Sequence, residues 1–264
     1  MYIGMRGHDF DTNTLDALCE KCKEYGVGGV QLVLLRSLAD FKKGNFTPEY
    51  AKSIGDKLRE NGIRVPILGC YINPSDANEE SLIENLHYAK YIGAEMVGLE
   101  TCRFSDDDEI NNSEETYQYL LKNMKKLVSA AEEIGVNVGI EGVHFHVINT
   151  PTKMKRLVDD LNSPNVRVIF DPVNYINTAN YKNQDEIINT HFDLLGEKTK
   201  LLHLKDFKLV DGEVAYEFPC DGLLNKDLLW DKLKQYNPDI AVILEEVKED
   251  HLAKVKTAVE KRFV

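Results

Sequence analysis

The chain has 264 residues, 43% hydrophobic and 29% charged, the make-up of a globular chain with a large core. Its formal net charge of −12 repels phosphate backbones, so nucleic acid is not an expected partner. No apolar run reaches the about 18 residues that a membrane span needs, which leaves a membrane out as well.

The first strand is expected at Tyr2–Met5; it starts so early that no secretion signal precedes it. A helical stripe of Leu15, Leu18 and Tyr25 follows and carries Cys19 and Cys22. No second pair accompanies this C-x-x-C, so it reads as packing rather than as a zinc or redox site. The other cysteines, Cys70, Cys102 and Cys220, are scattered, and an odd set of this kind points to reduced thiols in the cytoplasm. From here one unit recurs: a polar helical segment, a glycine, then a short run rich in Val and Ile. The glycines are Gly26, Gly62, Gly93 and Gly135, each able to close a helix in the left-handed conformation. The runs after them suit strands covered on both faces, at Gly29–Leu34, Arg64–Cys70, Met96–Glu100 and Val136–Glu141.

Asp106–Glu109 is a short charge run that reads as a solvated loop. Thr47-Pro48 and Thr150-Pro151 each set a cap before a proline at the first helical position. Ser163-Pro164 and Asn237-Pro238 stop helices, and strands follow at Val166–Asp171, Leu201–Lys205 and Ile240–Glu245. Eight strands alternating with helices fit a closed barrel or an open doubly wound sheet. The open sheet's glycine fingerprints are missing, and no linker divides the chain. The expected fold is therefore a single (β/α)8 TIM barrel, one domain over residues 1–264.

The active site of such a barrel lies at the carboxyl ends of its strands. Glu141, Asp171, His203 and Glu245 stand at the ends of strands five to eight. One carboxylate at a strand end is usually a loop cap; four metal-ligand types on consecutive strands suggest a site. Carboxylates about 5 Å apart repel by roughly 3 kcal/mol at an effective dielectric near 20, and a divalent cation would relieve this. Three oxygens and an imidazole suit manganese first, then magnesium or cobalt; zinc prefers fewer and softer ligands. Alternation puts Ala241, Ile243 and Glu245 on one face, which favours Glu245 over Glu246.

The sequence resembles the xylose isomerase-like barrels of the sugar phosphate isomerase/epimerase superfamily. The resemblance runs through the whole strand order and is sharpest in Gly139-Ile-Glu141, Val168-Ile-Phe-Asp171-Pro-Val-Asn174, His203-Leu-Lys-Asp206, Pro219-Cys-Asp-Gly222 and Ile243-Leu-Glu245. It implies that Glu141, Asp171, His203 and Glu245 hold the metal and that Glu141 and Glu245 also move protons. It also implies a small carbohydrate substrate and a homo-oligomer. Three departures separate the chain from ketose 3-epimerases: Asn174 stands where they carry His, Leu209 where they carry Arg, and Val147 where they carry a second Glu. The metal set is thus kept while the sugar-reading set is not.

The expected function is that of a divalent-metal-dependent isomerase or epimerase of a sugar or small hydroxy-carbonyl compound. Glu141 and Glu245 would pass a proton through an enediolate stabilised by the metal. His144, His146, Asn174, Lys205, Arg6, His8, Tyr71 and Glu100 lie near strand ends and are candidates for binding substrate. Within that group, Asn174 is expected to orient a hydroxyl, and Lys205 to neutralise an enediolate or a phosphate. A lyase of the inosose dehydratase type would use the same metal and the same proton abstraction. An endonuclease of the same superfamily would need a His-rich, multi-metal site and a basic groove, which Asn174 and the charge oppose. A non-catalytic sugar-binding barrel would have no need of all four ligands.

Overall fold

Every apolar run named above becomes a strand. In the computed structural model, which describes residues 1–263, they are β1 (Tyr2–Arg6), β2 (Gly29–Leu32), β3 (Arg64–Gly69), β4 (Val97–Glu100), β5 (Val138–Glu141), β6 (Val166–Phe170) and β7 (Thr199–Leu204). Two further strands, β8 (Asp206–Val210) and β9 (Glu213–Glu217), precede the last, β10 (Ala241–Leu244). Strands β1–β7 and β10 are parallel and close into a barrel, which β1 completes by pairing Tyr2–Met5 with Ala241–Leu244. Helices intervene between the barrel strands, so β2, β5 and β10 are buried at every position.

Inside the barrel Ile67, Met96, Ile169, Leu201, Ala241 and Ile243 form a small separate core. Strand glycines make room for it. A Cβ on Gly98 would stand 2.2 Å from Ile67 Cδ1, and one on Gly139 2.5 Å from Met96 Sδ. This plug is the floor on which the strand ends rest. The larger core lies between barrel and helices and includes Cys19 and Cys22, whose thiols are free. Burial pushes the Cys22 thiol up to about 12, which suits packing and not redox chemistry.

The helix signals hold with three local differences. Thr47 and Thr150 accept hydrogen bonds from Tyr50 N and Lys153 N at 3.1 and 3.2 Å, and Gly26, Gly93 and Gly135 take φ of 61°, 82° and 83°. The helix Pro151–Leu161, however, is closed by Asn162 at φ 45°, before Ser163-Pro164 is reached. Leu34 leaves the expected second strand and starts the helical turn Leu34–Ser37. The exposed run at 106–109 contains the start of a one-turn helix, Asp108–Asn111, capped by the Asp107 carboxylate. No described helix is long and apolar enough to cross a membrane.

The antiparallel hairpin β8–β9 was not expected, although Asp211-Gly212 is the dipeptide that favours a two-residue hairpin turn. Both residues adopt positive φ, 52° and 87°. Asp206 fixes its root. The fully buried Oδ1 accepts from Phe207 N (2.9 Å) and Leu224 N (2.8 Å), and Oδ2 accepts from Gly222 N (3.0 Å) and Lys226 Nζ (2.8 Å). Gly222 must be glycine, because a Cβ there would lie 2.3 Å from the Phe207 carbonyl oxygen. Removing the carboxylate strands Lys226 and three backbone donors, so Asp206→Ala should cost about 3–5 kcal/mol. Urea unfolding measures this; a loss below about 1 kcal/mol would show that the root is not held by this side chain.

Candidate metal centre at the barrel mouth

Glu141 closes β5, Asp171 follows β6, and His203 lies on β7 in register with Ile243 of β10. All three are buried, and one ligand atom from each lies within 4.8 Å of the others. Glu245, just past β10, completes the ring: its Oε1 is 3.4 Å from His203 Nδ1, while Glu141 Oε1 is 3.1 Å from the same nitrogen. Glu245 is 5% exposed, whereas Glu246 turns to solvent at φ 58°, as strand alternation predicts. Glu245 nevertheless stands slightly apart from the tight group of three, and two cations approach it.

Those cations relieve part of the repulsion for which a divalent cation was expected. Lys205 Nζ, itself buried, lies 2.8 Å from Asp171 Oδ2 and donates to Glu245 Oε2 at 3.2 Å. Arg6 Nη1 approaches Glu245 Oε1 at 3.9 Å, and its other nitrogens reach Asp9 and Glu246. Lys205 is thus paired with two of the carboxylates. Burial works to raise the Glu245 carboxyl, but His203, Lys205 and Arg6 hold it down at about 2. Burial pushes Asp171 up to about 6 against the pull of Lys205, leaving it ionised at neutral pH. Burial would lower the His203 imidazole; Glu141 and Glu245 overcome this and lift it to about 9.

Asn174 meets the same cluster. Its Nδ2 donates to Glu141 Oε1 at 2.7 Å and so orients that carboxylate. The segment is held from behind: Asp171 Oδ1 accepts from the main-chain N–H of Val173 and Asn174 at 2.9 and 3.1 Å. His144 folds against the same turn, its backbone N donating to the Asn174 carbonyl at 2.6 Å. The other two departures from the epimerase pattern lie elsewhere: Val147 is in the core, and Leu209 is exposed on the hairpin.

The remaining candidates line the approach. Tyr71, Glu100, Glu141 and His203 border a crevice of about 10 Å³, room for roughly one water. Tyr71, Glu100 and His146 border an adjoining hollow of about 170 Å³. Burial, then Glu141 and Glu245, push the Glu100 carboxyl up to about 7. Burial holds His146 and His8 down at about 4, so both are neutral. His8 sits edge-on to Tyr71 with ring centroids 6.2 Å apart. Two contributors were missed in the sequence. Gln31, the one polar side chain in β2, donates to Tyr71 Oη at 3.3 Å. Tyr216 of β9 covers Lys205 Nζ at 4.9 Å from its ring centre.

A metal fits these residues. His203 Nε2 is buried without a hydrogen-bond partner, and the donors are hard oxygens with one imidazole. The xylose isomerase-like TIM barrel family model matches residues 19–261. The chain belongs to this family. No curated protein matches it by sequence. Solved structures do match, and at these identities they speak for the fold alone. The probable 3-DHS dehydratase AsbF from Bacillus anthracis aligns at TM-score 0.78 and 12% identity, over 98% of this chain and 99% of that one. The 3-keto-D-glucoside 4-epimerase YcjR from E. coli aligns at 0.75 and 16%, over 99% of both chains. The IolI protein, solved with a zinc atom, aligns at 0.75 and 16%, over 100% of this chain and 98% of its own.

In this family member the imidazole of His203 holds its proton far above its ordinary value of 6.5. Its contribution to the stability of the metal-free fold is therefore present below pH 6.5 and disappears as pH rises through about 9. Metal binding needs the neutral ring and must displace that proton. Mn²⁺ affinity should climb about tenfold per pH unit up to that range, with close to one proton released per ion at neutral pH. Calorimetry in buffers of different ionisation enthalpy reads both, and an affinity independent of pH would remove His203 from the ligand set.

Proposed function

We propose that the protein is a divalent-metal-dependent isomerase or epimerase acting on a sugar or small hydroxy-carbonyl compound. The observation that carries this is the convergence of Glu141, Asp171 and His203 within 4.8 Å at the carboxyl ends of the barrel strands, with Glu245 against the same imidazole. Those four residues are the proposed ligands. Manganese is the proposed ion, from the oxygen-rich donor set; the zinc in the IolI structure is the alternative. When bound, the ion supplies Lewis acidity to the substrate carbonyl and its neighbouring hydroxyl.

The protein's own groups do the rest. Glu141 and Glu245 reach the centre from the two flanks of β7, so one carboxylate takes the proton from the carbon beside the carbonyl and the other returns one. Asn174 holds the Glu141 carboxylate in its working orientation. Lys205 and Arg6 keep Glu245 ionised. Tyr71, Glu100 and His146 are proposed to receive the substrate's hydroxyls from the side of the adjoining hollow, with His144 and His8 behind them. The 3-keto-D-glucoside 4-epimerase among the similar structures supports a carbohydrate substrate.

A second reading, a lyase, is favoured by the resemblance to the probable 3-DHS dehydratase. It shares the proton abstraction and differs in expelling a hydroxyl. A panel of ketoses, inososes and keto-acids, incubated with Mn²⁺ in deuterated water and stripped of metal before NMR, separates the two. Deuterium at one carbon of an unchanged skeleton supports the isomerase; loss of water supports the lyase; no exchange in any compound class defeats both.

Glu141→Gln and Glu245→Gln should each lower turnover at least about 10²-fold while the fold is kept. If both variants keep full activity, the two-carboxylate mechanism is wrong. Asn174→Ala should cut kcat about 10–100-fold through a misoriented Glu141, with KM much less affected. A change confined to KM would instead make Asn174 a substrate contact.

A further inference from the structure

The hollow of about 170 Å³ adjoins the crevice that contains Glu141 and His203, since Cys70, Tyr71 and Glu100 border both. Its polar groups keep valences that the fold does not use. Tyr71 Oη accepts from Gln31 Nε2, so its own proton is left to give. Glu100 Oε2 and His146 Nε2 stand 3.6 Å apart, too far to satisfy one another. One hydroxyl set beside both can donate to the carboxylate and accept from the imidazole in its Nε2–H form.

A strained residue of the lining sets the donor opposite them. Cys102, just past β4, has φ 66°, a left-handed value that a residue with a side chain rarely adopts. There its thiol donates to Asn73 Oδ1 at 2.9 Å. Burial pushes that thiol up to about 12, so it keeps the proton the bond needs. The bond fixes which way the amide faces. Asn73 borders the hollow, and with Oδ1 taken, Nδ2 is the end left to donate. The loop is braced a second time, because the Asn73 carbonyl accepts from Asn78 Nδ2 at 3.0 Å. Charge and size narrow the ligand. A lining with both donors and acceptors suits hydroxyls, each of which does both. An anion finds no such match. Arg103, the cation on the border, gives Nε to the Ser105 carbonyl at 2.7 Å, and Nη2 to the Asp106 carbonyl at 2.6 Å and Asp108 Oδ1 at 3.3 Å. Glu100, when ionised, repels a phosphate or a carboxylate. A cavity of about 150 Å³ takes up benzene, so this one has room for about six non-hydrogen atoms, or about three CHOH groups.

We infer that this hollow is the subsite for an uncharged, polyhydroxylated tail of the substrate, and that Asn73, positioned by Cys102, reads that tail. With two reacting carbons at the centre and about three CHOH groups in the hollow, the substrate is a five- or six-carbon sugar without a phosphate. The inference rests on the proposed reaction taking place at the neighbouring centre.

Calorimetric titration of the full chain, metal-free and Mn²⁺-loaded, tests this. The probes are the D-ketohexoses fructose, psicose, sorbose and tagatose; dihydroxyacetone, which has the reacting group without the tail; and D-fructose 6-phosphate, whose tail is charged. The tightest ketohexose should bind at least about tenfold better than dihydroxyacetone and than the phosphate. Asn73→Asp and Asn73→Ala, at an exposed position, should each weaken the ketohexose about fivefold or more and leave dihydroxyacetone unchanged. Cys102→Ala should weaken it about threefold, again sparing dihydroxyacetone, and Cys102→Ser, whose hydroxyl can make the same bond, should restore it. No ketohexose binding, no advantage over dihydroxyacetone, or a phosphate that binds as tightly overturns the inference. So do Asn73 variants whose losses fall equally on dihydroxyacetone; a serine as weak as the alanine removes Cys102 from its positioning role. A failure to bind Mn²⁺ sinks the proposed reaction instead, and the comparison on metal-free protein then decides the subsite by itself.

Discussion

Glu141, Asp171 and Glu245 are almost wholly withdrawn from water, and carboxylates so buried need opposite charge within contact distance. Glu141 and Asp171, with oxygens within 4.8 Å of each other, repel by about 3 kcal/mol at an effective dielectric of 20. The surrounding protein is arranged to meet that demand. Lys205 lies between Asp171 and Glu245, Arg6 reaches across from β1, and His203 keeps a proton between Glu141 and Glu245. A divalent ion held by the proposed ligands would take the place of the His203 proton. The proposed centre would then be more positive than the metal-free one, which would favour an intermediate that gathers negative charge.

The lower barrel is built to keep these groups still. Ile67, Ile169 and Ile243 fill its interior and fix the strand ends, and glycines at 98 and 139 let the strands close around them. Above the floor, each functional side chain is positioned by a neighbour: Asn174 for Glu141, the Val173 and Asn174 amides for Asp171, and Gln31 for Tyr71. Groups held in this way change little when a ligand arrives, so reorganisation costs little.

The barrel was legible because its signals are local and repeated. A glycine or proline after each helix and an apolar run after each stop require no knowledge of distant contacts. The order of the strand ends, and the choice of Glu245 over Glu246, came from the same counting. Partnership was harder to read. Lys205 shares strand parity with His203, which made it a candidate, but nothing in the sequence says that Asp171 and Glu245 flank it. Asn174 sits where a substrate ligand is expected, and only the fold reveals that its amide meets Glu141. The hairpin was missed although Asp211-Gly212 announces a tight turn, because its strands pair with each other and not with the barrel. Tyr216, which rides on it, was missed for the same reason.

One buried carboxylate gathers the root of that hairpin. Asp206 ties its root to Gly222, Leu224 and Lys226, and β8 and β9 pair only with one another. Its tip can therefore lengthen, shorten or change side chains at Leu209 and Val210 without pulling on Lys205, one residue before the anchor. Over evolutionary time, such a barrel can exchange the roof above its mouth while the charged cluster beneath is inherited intact.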